Sequence, residues 1–375
     1  MASTKPGRAA AAALLGLAVG VAGAVGSAPA GATDDALFGQ QWNLTQIGAP
    51  AAWATSTGAG VIIGIVDTGI DAGHPEFAGK ILAQADCAGA PCREGTARDV
   101  DGHGTAVAGI AAAKAGNGIG IAGVAPDAQL LIAKALDDDG VGTTVDINNA
   151  IRWVVDKGAK VVNLSLGDTD QVYVSLVGTS LQSGIEYAWS RGAVPVLAAG
   201  NYERGVTGGS FNYGALDAMV VGATTPAGAV APYSTDLGNA KWGVLAPGGS
   251  GRGPGKGVAS PARGGRYAYP SGTSMAAPHV SGALALLLAQ GLSPSAAVQR
   301  LLATADARKI KADLAVSAVD VPPPSMDAPP APAVASPASG GGANGALIVG
   351  AGAAVVVGLA AAAVGVRWRL RHGWS

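Results

Sequence analysis

The chain has 375 residues, of which 49 % are hydrophobic and only 13 % are charged, and its formal net charge is −1. This near-neutral balance excludes a general electrostatic attraction to nucleic acid or to anionic lipid. The 59 glycines indicate a body rich in tight turns. Without its unusual ends the chain keeps about 280 residues, enough to bury one substantial core.

The N-terminal segment has the three parts of a secretory signal peptide. Lys5 and Arg8 precede an apolar run over residues 9–25, and residues 28–30 give the small-x-small sequence Ala-Pro-Ala. This order is typical of a signal that is cleaved on export. We therefore predict a signal peptide over residues 1–30.

The body that follows, predicted over residues 37–318, alternates between two kinds of segment. Short β-branched runs suit buried parallel strands, and longer runs with apolar residues at helical spacing suit helices. Strands are predicted at residues 61–66, 130–136, 160–166, 194–199 and 219–223, and helices at residues 104–115, 144–157, 181–191 and 274–290. Such alternation predicts an α/β fold with a mainly parallel sheet, helices on both faces, and ligands beyond the carboxyl ends of the strands.

The two cysteines, Cys87 and Cys92, lie close together in the sequence. A metal site would need further ligands nearby, and no His–Cys cluster is present. In an exported protein such a pair predicts a short local disulfide, and two free thiols are the alternative.

Three segments carry residues suited to nucleophilic catalysis. Asp67 ends the first predicted strand, His103 opens a predicted helix, and Ser274 opens the long apolar helix. A serine hydroxyl is a weak nucleophile until a base takes its proton, histidine titrates near neutrality, and a carboxylate orients the imidazole. Asp99 and Asp101 also precede His103, but their loop position favours Asp67 at a strand end as the acid.

The order Asp, His, Ser along the chain is that of subtilisin-type proteases, and no G-x-S-x-G elbow of an α/β-hydrolase occurs. The sequences VDTGID, GHGTAVAGI, VVNLSLG, AAGN and GTSMAAPHVSG follow one another in the body. With these motifs, residues 41–318 closely resemble the subtilisin family of serine proteases (subtilases). The resemblance implies a three-layer fold, a serine endopeptidase acting on proteins or peptides, and no cofactor for the chemistry.

The resemblance also implies roles for other residues. Asn201 would donate its side-chain amide to the oxyanion, beside the backbone N–H of Ser274. The substrate-binding residues would be Ser165, Leu166 and Gly167 on one edge of a peptide cleft, Gly140 and Gly142 on the other, and Ala198, Ala199 and Gly200 in the specificity pocket. Ser210 and Phe211 would lie near the base of that pocket. The small, apolar lining suggests uncharged, apolar side chains at the P1 position of the substrate.

The loop at residues 115–121 resembles the calcium loop of subtilases. Asn117 would supply a side-chain oxygen, Ala115, Ile119 and Ile121 would supply carbonyls, and Glu76 would supply the carboxylate. Oxygen ligands from a loop suit Ca²⁺. Many family members have Asp where this chain has Glu76, so the longer side chain alters the geometry of the predicted site.

The C-terminal part of the chain predicts a stalk and an anchor. Residues 319–345 are rich in Pro, Ala, Ser and Gly, which predicts an extended stalk. Residues 346–366 carry no charge and are long enough to cross a bilayer as a helix. Arginines in the tail at residues 367–375 mark the cytoplasmic side, which predicts a single-pass cell-membrane protein with an extracellular peptidase domain.

The predicted body follows the signal peptide after only a short segment, and a stalk and a membrane anchor follow the body. This arrangement resembles that of the mycosins. These are subtilases attached to actinobacterial type VII secretion systems, so the resemblance implies secreted substrates and a secretion complex as partner. Two alternatives stay open: a catalytically dispensable scaffold or peptide-binding component of such a complex, and a hydrolase of esters. The presence of all four predicted catalytic residues argues against a purely inactive protein.

Overall fold

A computed structural model of the chain describes residue 1 and residues 34–89, 91–166, 181–201, 213–214 and 216–318. The predicted signal peptide beyond its first residue, the stalk, the span and the tail lie outside these residues, as do Gly167, Ser210 and Phe211. Within the described ranges, no helix has the length and apolar character needed to cross a bilayer.

The described residues form one large sheet and one small ribbon. The strands of the sheet are β1 (Ile62–Asp67), β2 (Ile81–Asp86), β3 (Arg93–Glu94), β4 (Gln129–Lys134), β5 (Val161–Leu164), β6 (Val194–Ala198), β7 (Met219–Thr224) and β8 (Trp242–Pro247). Their order is β3-β2-β4-β1-β5-β6-β7-β8, and all neighbours run parallel except β3, which is antiparallel to β2. The ribbon pairs β9 (Ser260–Ala262) with β10 (Arg266–Ala268). The predicted, mainly parallel sheet is confirmed.

Helices precede, connect and follow these strands. They are α1 (Trp42–Ile47), α2 (Ala49–Ala52), α3 (His103–Ala112), α4 (Thr144–Asp156), α5 (Gln182–Ser190), α6 (Thr273–Leu288), α7 (Pro294–Thr304) and α8 (Ala312–Ser317). The start of α4 is set locally by a capping box, in which Thr143 and Asp146 exchange side-chain and backbone hydrogen bonds. All the predicted helices and strands are present, with small shifts at their ends.

Two apolar cores lie on opposite faces of the sheet. Ile63 and Ile65 of β1 belong to the core that contains α3 and α6, whereas Val66 belongs to the core that contains α4 and α5. A Cβ at Gly64 would lie 2.8 Å from Cβ of Val154 on α4, so the missing side chain lets this helix pack close to β1. The result is the expected three-layer arrangement.

The two edges of the sheet end differently. At the β8 edge, the N–H of Leu245 donates to the Arg308 carbonyl (2.7 Å), and the N–H of Ile310 donates to the Leu245 carbonyl (3.0 Å). At the opposite edge, the two-residue strand β3 pairs with the end of β2. A disulfide between Cys87 and Cys92, as predicted, ties the chain between these two strands.

Candidate active site

The predicted catalytic residues meet at the carboxyl edge of the sheet. Asp67 ends β1, Ser165 follows β5, and Asn201 follows β6. Helix α3 begins at His103, α6 begins one residue before Ser274, and the two helices pack in the same core. The topology therefore brings the three motifs to the edge where parallel α/β sheets bind ligands.

A buried hydrogen bond joins the predicted acid and base. His103 Nδ1 lies 2.7 Å from Asp67 Oδ1, with the His103 side chain 17 % exposed and that of Asp67 fully buried. The N–H of Thr68 also donates to Asp67 Oδ1 (2.8 Å). Because Nδ1 donates to the carboxylate, Nε2 of neutral His103 carries the lone pair that can accept a proton. Burial lowers the pKa of His103, but the charge and hydrogen bond of Asp67 outweigh it and raise this pKa to about 9.

A second buried acid, Asp99, connects the end of β1 to the start of α3. Its Oδ1 accepts hydrogen bonds from Thr68 Oγ1 (2.9 Å) and from the N–H of Gly102 (2.7 Å). Its Oδ2 accepts from the N–H and the hydroxyl of Thr105, at 2.9 and 2.5 Å. Asp99 therefore fixes the helix turn that carries His103, a role that the sequence reasoning missed. An acid just before a helix N-terminus is the signal that points to such a cap.

The predicted nucleophile is held against β5. Ser274 Oγ donates to the carbonyl of Ser165 (3.3 Å), and Ser165 Oγ donates back to the carbonyl of Ser274 (2.8 Å). Asn163 Nδ2 donates to Ser165 Oγ (2.9 Å), and Asn163 Oδ1 accepts from Ser281 of α6 (2.8 Å). To give its proton to Nε2 of His103, the Ser274 hydroxyl would have to turn away from the Ser165 carbonyl. Long or poorly aligned catalytic hydrogen bonds are common in the absence of substrate.

The predicted oxyanion donor is oriented by its neighbour on α6. Asn201 Oδ1 accepts hydrogen bonds from the N–H (2.8 Å) and the hydroxyl (3.2 Å) of Thr273. The N–H of Gly200 in turn donates to the Thr273 hydroxyl (3.1 Å). Because Thr273 occupies the amide oxygen of Asn201, the Nδ2 group of Asn201 points to the other side and can donate a hydrogen bond to a ligand. The N–H of Ser274, in the first turn of α6, has no carbonyl four residues back within the helix and is a second donor.

The predicted substrate-binding residues lie around this edge. Ser165 and Leu166 follow β5, while Ala198, Ala199 and Gly200 lie at the end of the neighbouring strand β6. Gly140 and Gly142 follow β4 on the other side of β1. Gly140 has a φ of +76° in a turn, and a Cβ at Gly142 would lie 2.5 Å from the carbonyl oxygen of Ala135. Glycine is therefore required at both positions.

The predicted calcium ligands Glu76 and Asn117 do not point their side-chain oxygen atoms at a common centre, as the ligands of a bound cation would. Both oxygens of buried Glu76 accept hydrogen bonds: Oε1 from the N–H of Ile121 (2.7 Å) and from Tyr267 (2.8 Å), and Oε2 from Asn117 Nδ2 (3.1 Å). Burial raises the pKa of Glu76. Asn117 Oδ1 accepts from the N–H of Ile119 (3.0 Å), so it does not face Glu76.

Another acid, Asp35, completes this network. Its carboxylate accepts the backbone N–H groups of Gly116 (2.9 Å), Asn117 (3.0 Å) and Gly118 (3.0 Å). No cluster of acidic, His or Cys side chains in the described part of the chain could hold a metal. Hydrogen-bond donors, rather than the oxygen ligands that Ca²⁺ prefers, thus face both carboxylates. The set Glu76, Ala115, Asn117, Ile119 and Ile121 does not fit calcium, because Ile121 and Asn117 present N–H groups to Glu76.

Comparison with known proteins gives one consistent result. The model of the subtilase family matches residues 58–321. Thermitase of Thermoactinomyces vulgaris is 39 % identical over 257 residues, covering 68 % of this chain and 85 % of thermitase. Subtilisin of Bacillus pumilus is 34 % identical over 252 residues, covering 66 % of this chain and 84 % of that protein. A solved protease structure from Pseudoalteromonas arctica matches with a TM-score of 0.64 at 28 % identity, covering 76 % of this chain and 98 % of that one.

Proposed function

Since the chain belongs to the subtilase family and is a subtilisin-type serine protease, we propose that Asp67, His103 and Ser274 form its catalytic triad and that Asn201 is its oxyanion donor. The observation that carries this proposal is the buried 2.7 Å bond between Asp67 and His103 at the edge where Ser274 begins its helix.

The geometry supports acyl transfer in two steps, acylation of Ser274 and hydrolysis of the acyl-enzyme. Ser274 Oγ adds to the carbonyl carbon of the scissile peptide and passes its proton to Nε2 of His103, while Asp67 stabilises the imidazolium. Nδ2 of Asn201 and the N–H of Ser274 stabilise the oxyanion. The C–N bond then breaks, and His103 protonates the leaving amine. A water, deprotonated by His103, hydrolyses the ester and restores Ser274.

The proposed substrate is an extended peptide bound between two edges. Its residues before the scissile bond would pair with residues 165–167 on one side and residues 140–142 on the other by β-addition. The segment 198–200 would line the pocket for the P1 side chain. Since the described part of this lining is small and apolar, we propose a preference for uncharged, apolar P1 side chains.

The N-terminal and C-terminal segments of the sequence support a location of this activity at the outer face of the membrane. We propose a signal peptide over residues 1–30, a stalk over residues 319–345, a span over residues 346–366 and a cytoplasmic tail over residues 367–375. The peptidase domain would then act at the outer membrane face and process substrates of a type VII secretion system. An activity-based serine probe that cannot enter cells tests this topology, because it should label intact cells as strongly as lysed ones.

The catalytic proposal is tested by a fluorophosphonate probe, which reacts with activated serines, on the purified full-length chain. The parent should be labelled, Ser274→Ala should not, and Asp67→Asn should be labelled much more slowly because His103 loses its orientation. Labelling of Ser274→Ala at the parent rate would refute the assignment of the nucleophile. The alternative of a dispensable scaffold is decided by complementation: Ser274→Ala would then restore secretion to a deletion strain as well as the parent does.

A further inference from the structure

An arginine-rich cleft lies beside His103 and is not used by the mechanism above. Its volume is about 200 Å³, and it opens between the residues that precede α3 and the β9–β10 ribbon. The charged residues of its lining are Asp101, Arg252, Arg263 and Arg266. Pro270, which comes shortly before Ser274 in the chain, also lines it. The cleft therefore reaches the start of α3 and the segment that leads into α6.

The charge of this cleft is positive although the whole chain is nearly neutral. Three arginines and one acid line it, of which Arg252 already interacts with another group of the protein. The Asp101 carboxylate already accepts the N–H of His103 (3.0 Å). None of the ion pairs among the described residues involves Arg263 or Arg266. Both side chains are exposed, so their guanidinium groups are available to a ligand. Guanidinium groups bind carboxylates with paired, charge-assisted hydrogen bonds.

The tip of the ribbon that carries two of these arginines is fixed. The N–H of Gly264 donates to Asp71 Oδ2 (2.7 Å), and His74 Nε2 lies 2.9 Å from the carbonyl oxygen of Arg266. Within the tip, Nε of Arg266 donates to the carbonyl of Arg263 (3.1 Å), which leaves its terminal nitrogens for another partner. Because the backbone and one side chain are already held, a carboxylate ligand would order little further structure on binding.

The position of the cleft indicates which half of a peptide would enter it. No residue of the segments 140–142, 165–166 or 198–201 lines the cleft. Those segments are the proposed contacts of the residues before the scissile bond. A peptide that continues past Ser274 and His103 would therefore bring its leaving half to the arginines.

We propose that this cleft binds a carboxylate of the substrate on the C-terminal side of the scissile bond, an inference that rests on the proposed endopeptidase function. Two sources share this chemistry, an Asp or Glu side chain in the leaving half and the terminal carboxylate of a short leaving half. The enzyme would thus favour substrates with negative charge just after the cleavage point, independently of its choice of P1 side chain.

The test uses the purified full-length enzyme and quenched fluorogenic peptides with one sequence before the scissile bond. One set has an amidated C-terminus and carries Asp, Asn or Lys at each of the first three positions after that bond. A second set carries Asn at these positions, and its C-terminus is either a free carboxylate or an amide. The measured quantity is the ratio of kcat/KM between Asp and Asn, or between acid and amide, for each enzyme. This ratio does not depend on how much of a variant is folded.

We expect at least one position to give a ratio of about fivefold or more, on the scale of a charge-assisted hydrogen bond. The ratio should fall toward one in 1 M salt, where the Debye length is about 3 Å. Arg263→Gln with Arg266→Gln should reduce it to about one, and Arg263→Glu with Arg266→Glu should reverse the order of Asp and Lys. Arg300→Gln on α7 removes a charge outside the cleft and should leave the ratio as in the parent. A preference confined to the second peptide set identifies the terminal carboxylate as the ligand.

Two results would overturn the inference. Equal kcat/KM values for Asp, Asn and Lys at every position, with equal values for acid and amide, would show that the cleft has no such ligand. A preference that persists in both double variants would place the binding elsewhere. A chain that labels with the fluorophosphonate but cleaves no peptide would instead refute the proposed endopeptidase function, and the inference with it.

Discussion

The substitution Asp99→Asn tests the idea that a buried acid outside the proposed triad fixes the helix that carries His103. Asp99 is only 4 % exposed, and it accepts the N–H groups of Gly102 and Thr105 with different oxygens. An asparagine replaces one of these oxygens with an NH₂ group. In either orientation of the amide, therefore, one of the two backbone donors loses its acceptor and faces another donor.

The cost of this change follows from the groups involved. A buried N–H left without a partner costs about 1–3 kcal/mol. Losing the negative charge at the N-terminus of α3 costs about 0.3–1 kcal/mol more. We therefore expect Asp99→Asn to lower the free energy of unfolding by about 1–4 kcal/mol. Because His103 is in the same helix turn, its misplacement should also lower kcat/KM, by up to about 10²-fold for a shift near 1 Å.

Urea unfolding of the purified chain measures the first effect, and peptide hydrolysis under conditions where the variant is fully folded measures the second. The matched control for the unfolding measurement is Asp101→Asn. Asp101 is half-buried and accepts the N–H of His103 through one oxygen, so an amide turned the right way keeps that bond. A change in unfolding free energy below about 0.5 kcal/mol for Asp99→Asn, the scale of ordinary surface substitutions, would refute the reasoning.

Three further predictions concern pH and metal. The pKa of His103 is raised to about 9, so kcat/KM should rise with pH as His103 loses its proton, with a midpoint above the ordinary pKa of 6.5. Asp67→Asn should lower this midpoint, and a parent midpoint below 6.5 would contradict the prediction. Burial lowers the pKa of His279 to about 4. Its contribution to stability is present above pH 6.5 and is lost as the pH falls toward 4, by about 3 kcal/mol. Urea unfolding should show a flatter acid decline for His279→Gln, and parallel curves would exclude this cause. Finally, EDTA should leave the Tm unchanged while Asp35→Ala lowers it, whereas a drop with EDTA alone would indicate a bound metal.

The elements predicted from sequence are those whose pattern is local. Strands β1, β5 and β6 are short, mostly apolar runs that are buried almost throughout, and α4 carries its own capping box. Strand β2, by contrast, mixes polar and apolar residues and is half-buried, so it depends on pairing with β4. Helix α7 was missed although Ser293 caps it and Pro294 opens it, both of which are readable signals.

The same distinction applies to the site. Asp67, His103, Ser274 and Asn201 each lie in a motif that the sequence displays, so their grouping was predictable from the order of the motifs. The contacts that orient them were not, because they join distant positions. Thr273 holds Asn201 across 72 residues, and no periodicity or spacing in the sequence marks such a pair.

The construction of the two sheet edges has a consequence for how the protein behaves in a crowded solution. An exposed strand edge offers a row of free N–H and C=O groups that can template aggregation. Here the segment around Arg308 and Ile310 occupies the β8 edge, and the short β3, tied by its disulfide, shortens the other. Pairing of a further strand is therefore blocked at Leu245 on the β8 edge, and β3 offers only two residues for pairing on the other. Both features lower the tendency of the protein to associate through the edges of its sheet.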